Sequence, residues 1–162
     1  MFKNLSNYQP ANPLLWQGRK DTLNQERFFQ KISFIQNFSE LVTNNKKTLF
    51  IGFASDAGII RNSGRPGAKL GPDQIKIQLA KLPCPNIANY MDLGNIICEN
   101  DEQELAQSEF AQLIHFCHQN GHMTVAFGGG HEIAWGHYQG LSEIYPKLGI
   151  INFDAHFDLR PY

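Results

Sequence analysis

The sequence predicts an α/β fold of three layers, α/β/α, around a mainly parallel sheet. Three observations carry that expectation. Four short apolar runs, 48–54, 88–93, 123–127 and 148–153, have the length and composition of buried strands. The segments between them space their apolar residues as helices do. Strands that alternate with helices imply crossover connections, which make neighbouring strands parallel and cover both faces of the sheet.

Taken in order, residues 1–20 contain Pro10 and Pro13 and read as an extended arm. Over 22–42, Leu23, Phe28, Ile32, Ile35, Phe38 and Val42 recur every three to five residues, which predicts one amphipathic helix. Asn44-Asn45-Lys46-Lys47 ends that pattern before the first strand. The next helix is expected from Gly71 to about Leu82, with Pro72 suited to a first helical turn. A further helix over 101–120 gathers Ala106, Phe110, Leu113, Ile114 and Cys117 on one side. Its acidic start, Asp101, Glu102 and Glu104, complements the positive end of the helix dipole. The last helix is expected over about 132–144. No internal repeat or low-complexity tract is present.

With 162 residues the chain is long enough for one domain with a buried core. Its 14 basic and 15 acidic residues leave a formal charge of -1, so electrostatics favour neither nucleic acid nor an anionic membrane as partner. The polar start MFKNLSNYQP lacks the apolar core of a signal peptide, and no run approaches the roughly 18 apolar residues of a membrane span. Cys84, Cys98 and Cys117 are odd in number and form no C-x-x-C pair, which predicts free thiols in a reducing cytoplasm. The last predicted strand is followed by only a few residues, ending at Tyr162. A sheet built this way leaves an edge and part of a face uncovered, so 1–162 is expected to be the N-terminal portion of one domain whose C-terminal half is missing.

Two motifs carry chemistry. Asn152-Phe153-Asp154-Ala155-His156-Phe157-Asp158 closes the last predicted strand. Alternation in extended backbone puts Asp154, His156 and Asp158 on one side. Two carboxylates and an imidazole gathered there suit a divalent metal; a polar strand end in solvent, with Asp158 capping a turn, is the other reading. The second motif, Phe127-Gly128-Gly129-Gly130-His131-Glu132, follows the third strand. Its glycines permit a tight or left-handed path and close approach of another segment, and they deliver His131 to the C-terminal rim where parallel sheets bind ligands. A plain strand-to-helix turn with a capping His is the alternative there. The G-x-G-x-x-G spacing of a phosphate loop is absent. Both motifs stand at C-terminal strand ends of one sheet, and together they favour a metal crevice containing His131, Asp154, His156 and Asp158. His115 and His118, spaced i, i+3, read as a solvated helix face. His122 and His137 receive no role.

At these motifs the chain resembles the ureohydrolase (arginase-like) family of arginases, agmatinases and formimidoylglutamases. The family's G-G-x-H turn and D-A-H-x-D strand end stand as Gly128–His131 and Asp154–Asp158. Asn62-x-Gly64-Arg65-x-Gly67-Ala68-x-x-Gly71-Pro72, Trp16-Gln17-Gly18-Arg19 and 151–160 are similar to formimidoylglutamase patterns, and Gly130 stands where arginases typically have Asp. The resemblance implies the arginase-like fold and two manganese ions. It makes His131 a ligand of one ion, His156 of the other, Asp154 a bridging ligand, and Asp158 a further ligand on the ion of His131. It implies hydrolysis of N-formimidoyl-L-glutamate to L-glutamate and formamide, with Arg160 on a substrate carboxylate. The expected partners are a small-molecule substrate and either a second copy of the chain or the missing half. The family's later D-x-D motif is absent from these residues. An arginase- or agmatinase-like guanidine hydrolase and a non-catalytic remnant or assembly module are the alternatives.

Overall fold

Strand β3, Lys47–Ala54, is the axis of the molecule; it is apolar on both faces and buried from Leu49 onward. In the computed structural model, which describes residues 5–156, it pairs in parallel with β4, Asn89–Ile97, and with β5, Met123–Gly128. The two-residue strands β1, Tyr8–Gln9, and β2, Ser33–Phe34, both lie on the outer edge of β4, antiparallel and parallel respectively. The sheet order is β1-β4-β3-β5, with β2 beside β4. The helices are α1 (Phe28–Lys31), α2 (Ala57–Arg61), α3 (Gly71–Leu79), α4 (Gln103–Gln119) and α5 (Ile133–Ser142).

Period-two alternation sorts the core into two clusters. Leu49, Ile51 and Phe53 of β3 join Phe110, Leu113 and Ile114 of α4, with Ile133 and Leu141 of α5 packed alongside. Phe50 faces the opposite way, with Trp16, Phe28, Ile32, Ala80 and Tyr90. Helices therefore cover both faces, as the three-layer expectation requires. Each fully buried Leu, Ile or Phe here contributes about 1.5–3 kcal/mol relative to exposure.

The opposite face also contains a buried ion pair. Lys76 of α3 donates to Asp92 of β4 at 2.7 Å, with side chains 1% and 0% exposed. Lys76 also donates to the Gly94 carbonyl and to Asn95, while Asp92 accepts from Trp16 Nε1 and the Gly94 N–H. Every partner is satisfied, which a buried charge requires. Gly94 has φ +91°, and a Cβ there would lie 2.1 Å from the Gln9 carbonyl. This residue makes the kink that shifts the β3–β4 register and lets β1 approach. Beyond it Asn95, Ile96 and Ile97 pair with Gly52, Phe53 and Ala54, so β4 runs on to Ile97, past the 88–93 expected.

Two expected elements are corrected. Residues 22–42 form no single helix; α1, β2 and a 3-10 turn at Phe38–Leu41 replace it. Phe28 and Ile32 bury on one side of the sheet and Ile35 and Leu41 on the other, so the segment wraps the β4 edge. A straight helix cannot reach both faces. The 148–153 run is not a strand either: it has no regular structure, and Ile150, Ile151 and Phe153 are exposed. Among the described residues no strand lies beside it, and an extended apolar run becomes a strand only through a ladder partner.

Candidate metal centre

The C-terminal ends of β3 and β5 meet at a corner built from backbone. Gly129 fits there because a Cβ would lie 2.4 Å from the Phe53 carbonyl. The Gly130 N–H donates to the Ser55 carbonyl at 3.2 Å. None of Gly128, Gly129 and Gly130 has a positive φ, so the glycines serve close approach and not the left-handed path. Glu132 completes the corner. Its Oε1 accepts from the buried Ser55 hydroxyl at 2.7 Å and from the Gly58 N–H at 3.2 Å, and its carbonyl accepts from Gln107 at 2.8 Å. His131, projecting from this loop, is exposed and lines an open groove of about 820 Å³ with Gly58, Asn62, Glu132, Trp135 and Ile150. No helix among the described residues is long and apolar enough to cross a membrane.

Asp154 stands between two imidazoles. Its Oδ2 is 3.9 Å from His131 Nδ1, and its Oδ1 is 3.4 Å from His156 Nδ1. The segment reaches this position through a turn, not through strand alternation: Asp154 Oδ1 accepts the His156 backbone N–H at 2.9 Å. That hydrogen bond, helped by the two imidazoles, holds the carboxyl below the usual carboxylate range. Asp158 and Arg160 lie outside the described residues. Of the predicted ligands, His131, Asp154 and His156 are thus brought to one place. Among the described residues they do not close into a group of three or more able to enclose an ion. Their donor chemistry, one carboxylate presenting an oxygen to each of two imidazoles, fits a borderline-to-hard divalent cation.

Sequence reasoning missed the scaffold behind the motif. Asp56, 8% exposed, accepts from the Gly67 and Lys69 N–H groups and so folds the 62–70 loop against the rim. It also lines a second groove of about 770 Å³ with Lys69, Asp73, Asn95 and Cys98. His118 is not part of a solvated face: its two nitrogens meet Tyr145 and Thr124. His122 is buried, accepting from Lys47 N–H at Nδ1 and donating from Nε2 to the Leu41 carbonyl. The available signal was polarity inside apolar runs, as with Asp92 amid Tyr90, Met91 and Leu93.

Residues 46–162 match the arginase family model. A formimidoylglutamase of Legionella pneumophila (strain Lens) is 77% identical over 162 residues, covering 100% of this chain and 51% of that protein. A formimidoylglutamase of Geobacillus thermodenitrificans is 43% identical, covering 96% of this chain and 51% of that one. The crystal structure of Trypanosoma cruzi formiminoglutamase with Mn2+ superimposes with a TM-score of 0.71 at 26% identity, covering 85% of this chain and 47% of that chain. The chain belongs to the arginase family and has the arginase-like fold. It spans about half the length of these relatives.

Proposed function

We propose that the chain is the N-terminal portion of a formimidoylglutamase, which hydrolyses N-formimidoyl-L-glutamate to L-glutamate and formamide. The observation that carries the proposal is Asp154, set with one oxygen toward His131 and the other toward His156. The 77% identity to a formimidoylglutamase along the whole chain supports the choice of substrate. In this reading His131, Asp154, His156 and Asp158 would hold the manganese ions, with Asp154 placed between the two imidazoles. Manganese supplies Lewis acidity and lowers the pKa of coordinated water, which makes a nucleophile available at neutral pH.

The chain's own residues orient and exclude. The Ser55–Gly58 corner and Glu132 fix the loop bearing His131, and Trp135 and Ile150 line the groove with apolar surface. Arg160 is assigned to the substrate carboxylate, because a guanidinium can offer a carboxylate two parallel hydrogen bonds that a neutral amide cannot match. Water adds at the amidine carbon and the bond from that carbon to the glutamate nitrogen breaks. The nitrogen leaves as the amino group of glutamate, and formamide carries the water oxygen.

The test is product analysis on the protein at the full length of its relatives, supplied with manganese. Formamide and glutamate in equal amounts from formimidoylglutamate are expected, with no urea from agmatine or arginine. Urea from either guanidine, without turnover of formimidoylglutamate, would overturn the substrate assignment. No turnover of any of the three would favour a non-catalytic role.

A further inference from the structure

The residues on either side of His131 form a coupled pair. Glu132 Oε1 is held by Ser55 and the Gly58 N–H, and in this pose Oε2 turns back over Gly130. A Cβ built on Gly130 would lie 1.9 Å from Glu132 Oε2 and 2.7 Å from its Cδ. Its backbone does not demand glycine, because φ at Gly130 is not positive. Gly58 is constrained by the same carboxylate, since a Cβ there would meet Oε2 at 2.7 Å. What excludes a side chain at position 130 is therefore the far end of one flexible residue, which is free to swing away only by giving up Ser55 and Gly58.

We infer that Glu132 is a positioning residue that locks the His131 loop onto the β3–α2 corner, and that Gly130 is glycine because this lock leaves no room for a side chain. The inference rests on the reading of His131 as a ligand. A loop held by a charge-assisted hydrogen bond on one side and the Gly130–Ser55 backbone bond on the other presents His131 without further ordering. When either Gly130 or Glu132 is changed the same contact is lost, so the two changes do not add.

The experiment is a double-mutant cycle read as manganese affinity by calorimetry, in the protein at the full length of its relatives. Glu132→Ala and Gly130→Ala are each expected to weaken one of two bound ions by roughly tenfold, the scale of one hydrogen bond to a charged group. The double variant should be no weaker than the worse single. Glu132→Gln retains an acceptor oxygen for Ser55 and Gly58 and should stay within about threefold of the parent. Ser55→Ala, which removes one donor and no bulk, reads the same contact should Glu132→Ala fail to fold. Parent-like affinity in Glu132→Ala or, failing that, in Ser55→Ala would overturn the inference, as would losses that add in the double variant. A parent protein that binds no manganese would instead overturn the metal reading on which it rests.

Discussion

Single side chains divide into those whose role shows in the local sequence and those whose role depends on a distant partner. His131, Asp154 and His156, the proposed ligands, would belong to the first kind, because glycines and alternating carboxylates mark them within a few residues. Lys76 and Asp92 belong to the second: each is an ordinary charge in sequence, and only the fold places one against the other at 2.7 Å. A buried pair with one partner removed leaves a charge that nothing compensates. Lys76→Met should therefore destabilise by about 3–5 kcal/mol, although Met fills similar volume. Urea unfolding of parent and variant measures it. A loss under about 1 kcal/mol would show that Asp92 is served by Trp16 and Gly94 alone.

At the scale of elements, the sequence pattern predicted β3, β5, α3, α4 and α5 to within a few residues: β3 is a continuous apolar run buried on both faces, and α4 turns a single apolar stripe to the core. It failed at 22–42, where consecutive apolar residues belong to opposite faces, and at 148–153, where no ladder partner is supplied among the described residues. Helix α5 shows a further limit. Gly140 is a poor helix former by propensity, yet a Cβ there would lie 2.5 Å from the Ala111 carbonyl and 2.7 Å from Ile114 Cβ. Gly140→Ala should lower stability by roughly 1–2 kcal/mol, since overpacking against α4 outweighs the gain in helix propensity. A rise in Tm would contradict that packing.

The same helices meet β5 through a chain of polar groups. Thr124 Oγ1 lies 2.9 Å from His118 Nε2 and 3.1 Å from His137 Nε2, and Tyr145 closes the far side of His118. Burial lowers the pKa of both imidazoles, helped by His122 near His118 and by His118 near His137. Protonated, both rings can only donate, so Thr124 Oγ1 would have to accept from each and two positive charges would face one another across one hydroxyl. The unfolded chain takes up protons near the ordinary histidine pKa of about 6.5, before the folded one does. Stability from these groups is thus present above about 6.5 and is lost as pH falls through the lower folded values. Tm should drop between about pH 7 and 5 less steeply in His137→Gln than in the parent. Parallel curves would show that His137 does not titrate in this range.

For the whole molecule, family membership and the three-layer arrangement were legible because several motifs agree along nearly the entire chain. The assembly of the centre was not: the loop after β5, held by a corner at Ser55, delivers His131, and a turn at Asp154 delivers the facing carboxylate. In the proposed centre Asp154 would serve two ions, one on the side of His131 and the other on the side of His156. Metal content per subunit decides it, measured in the protein at the full length of its relatives, loaded with manganese and passed through a desalting column. The parent should retain two ions and His131→Ala one, while Asp154→Ala should lose both, because the bridging group serves each. Equal losses in the two variants, or a greater loss in His131→Ala, would contradict the bridge.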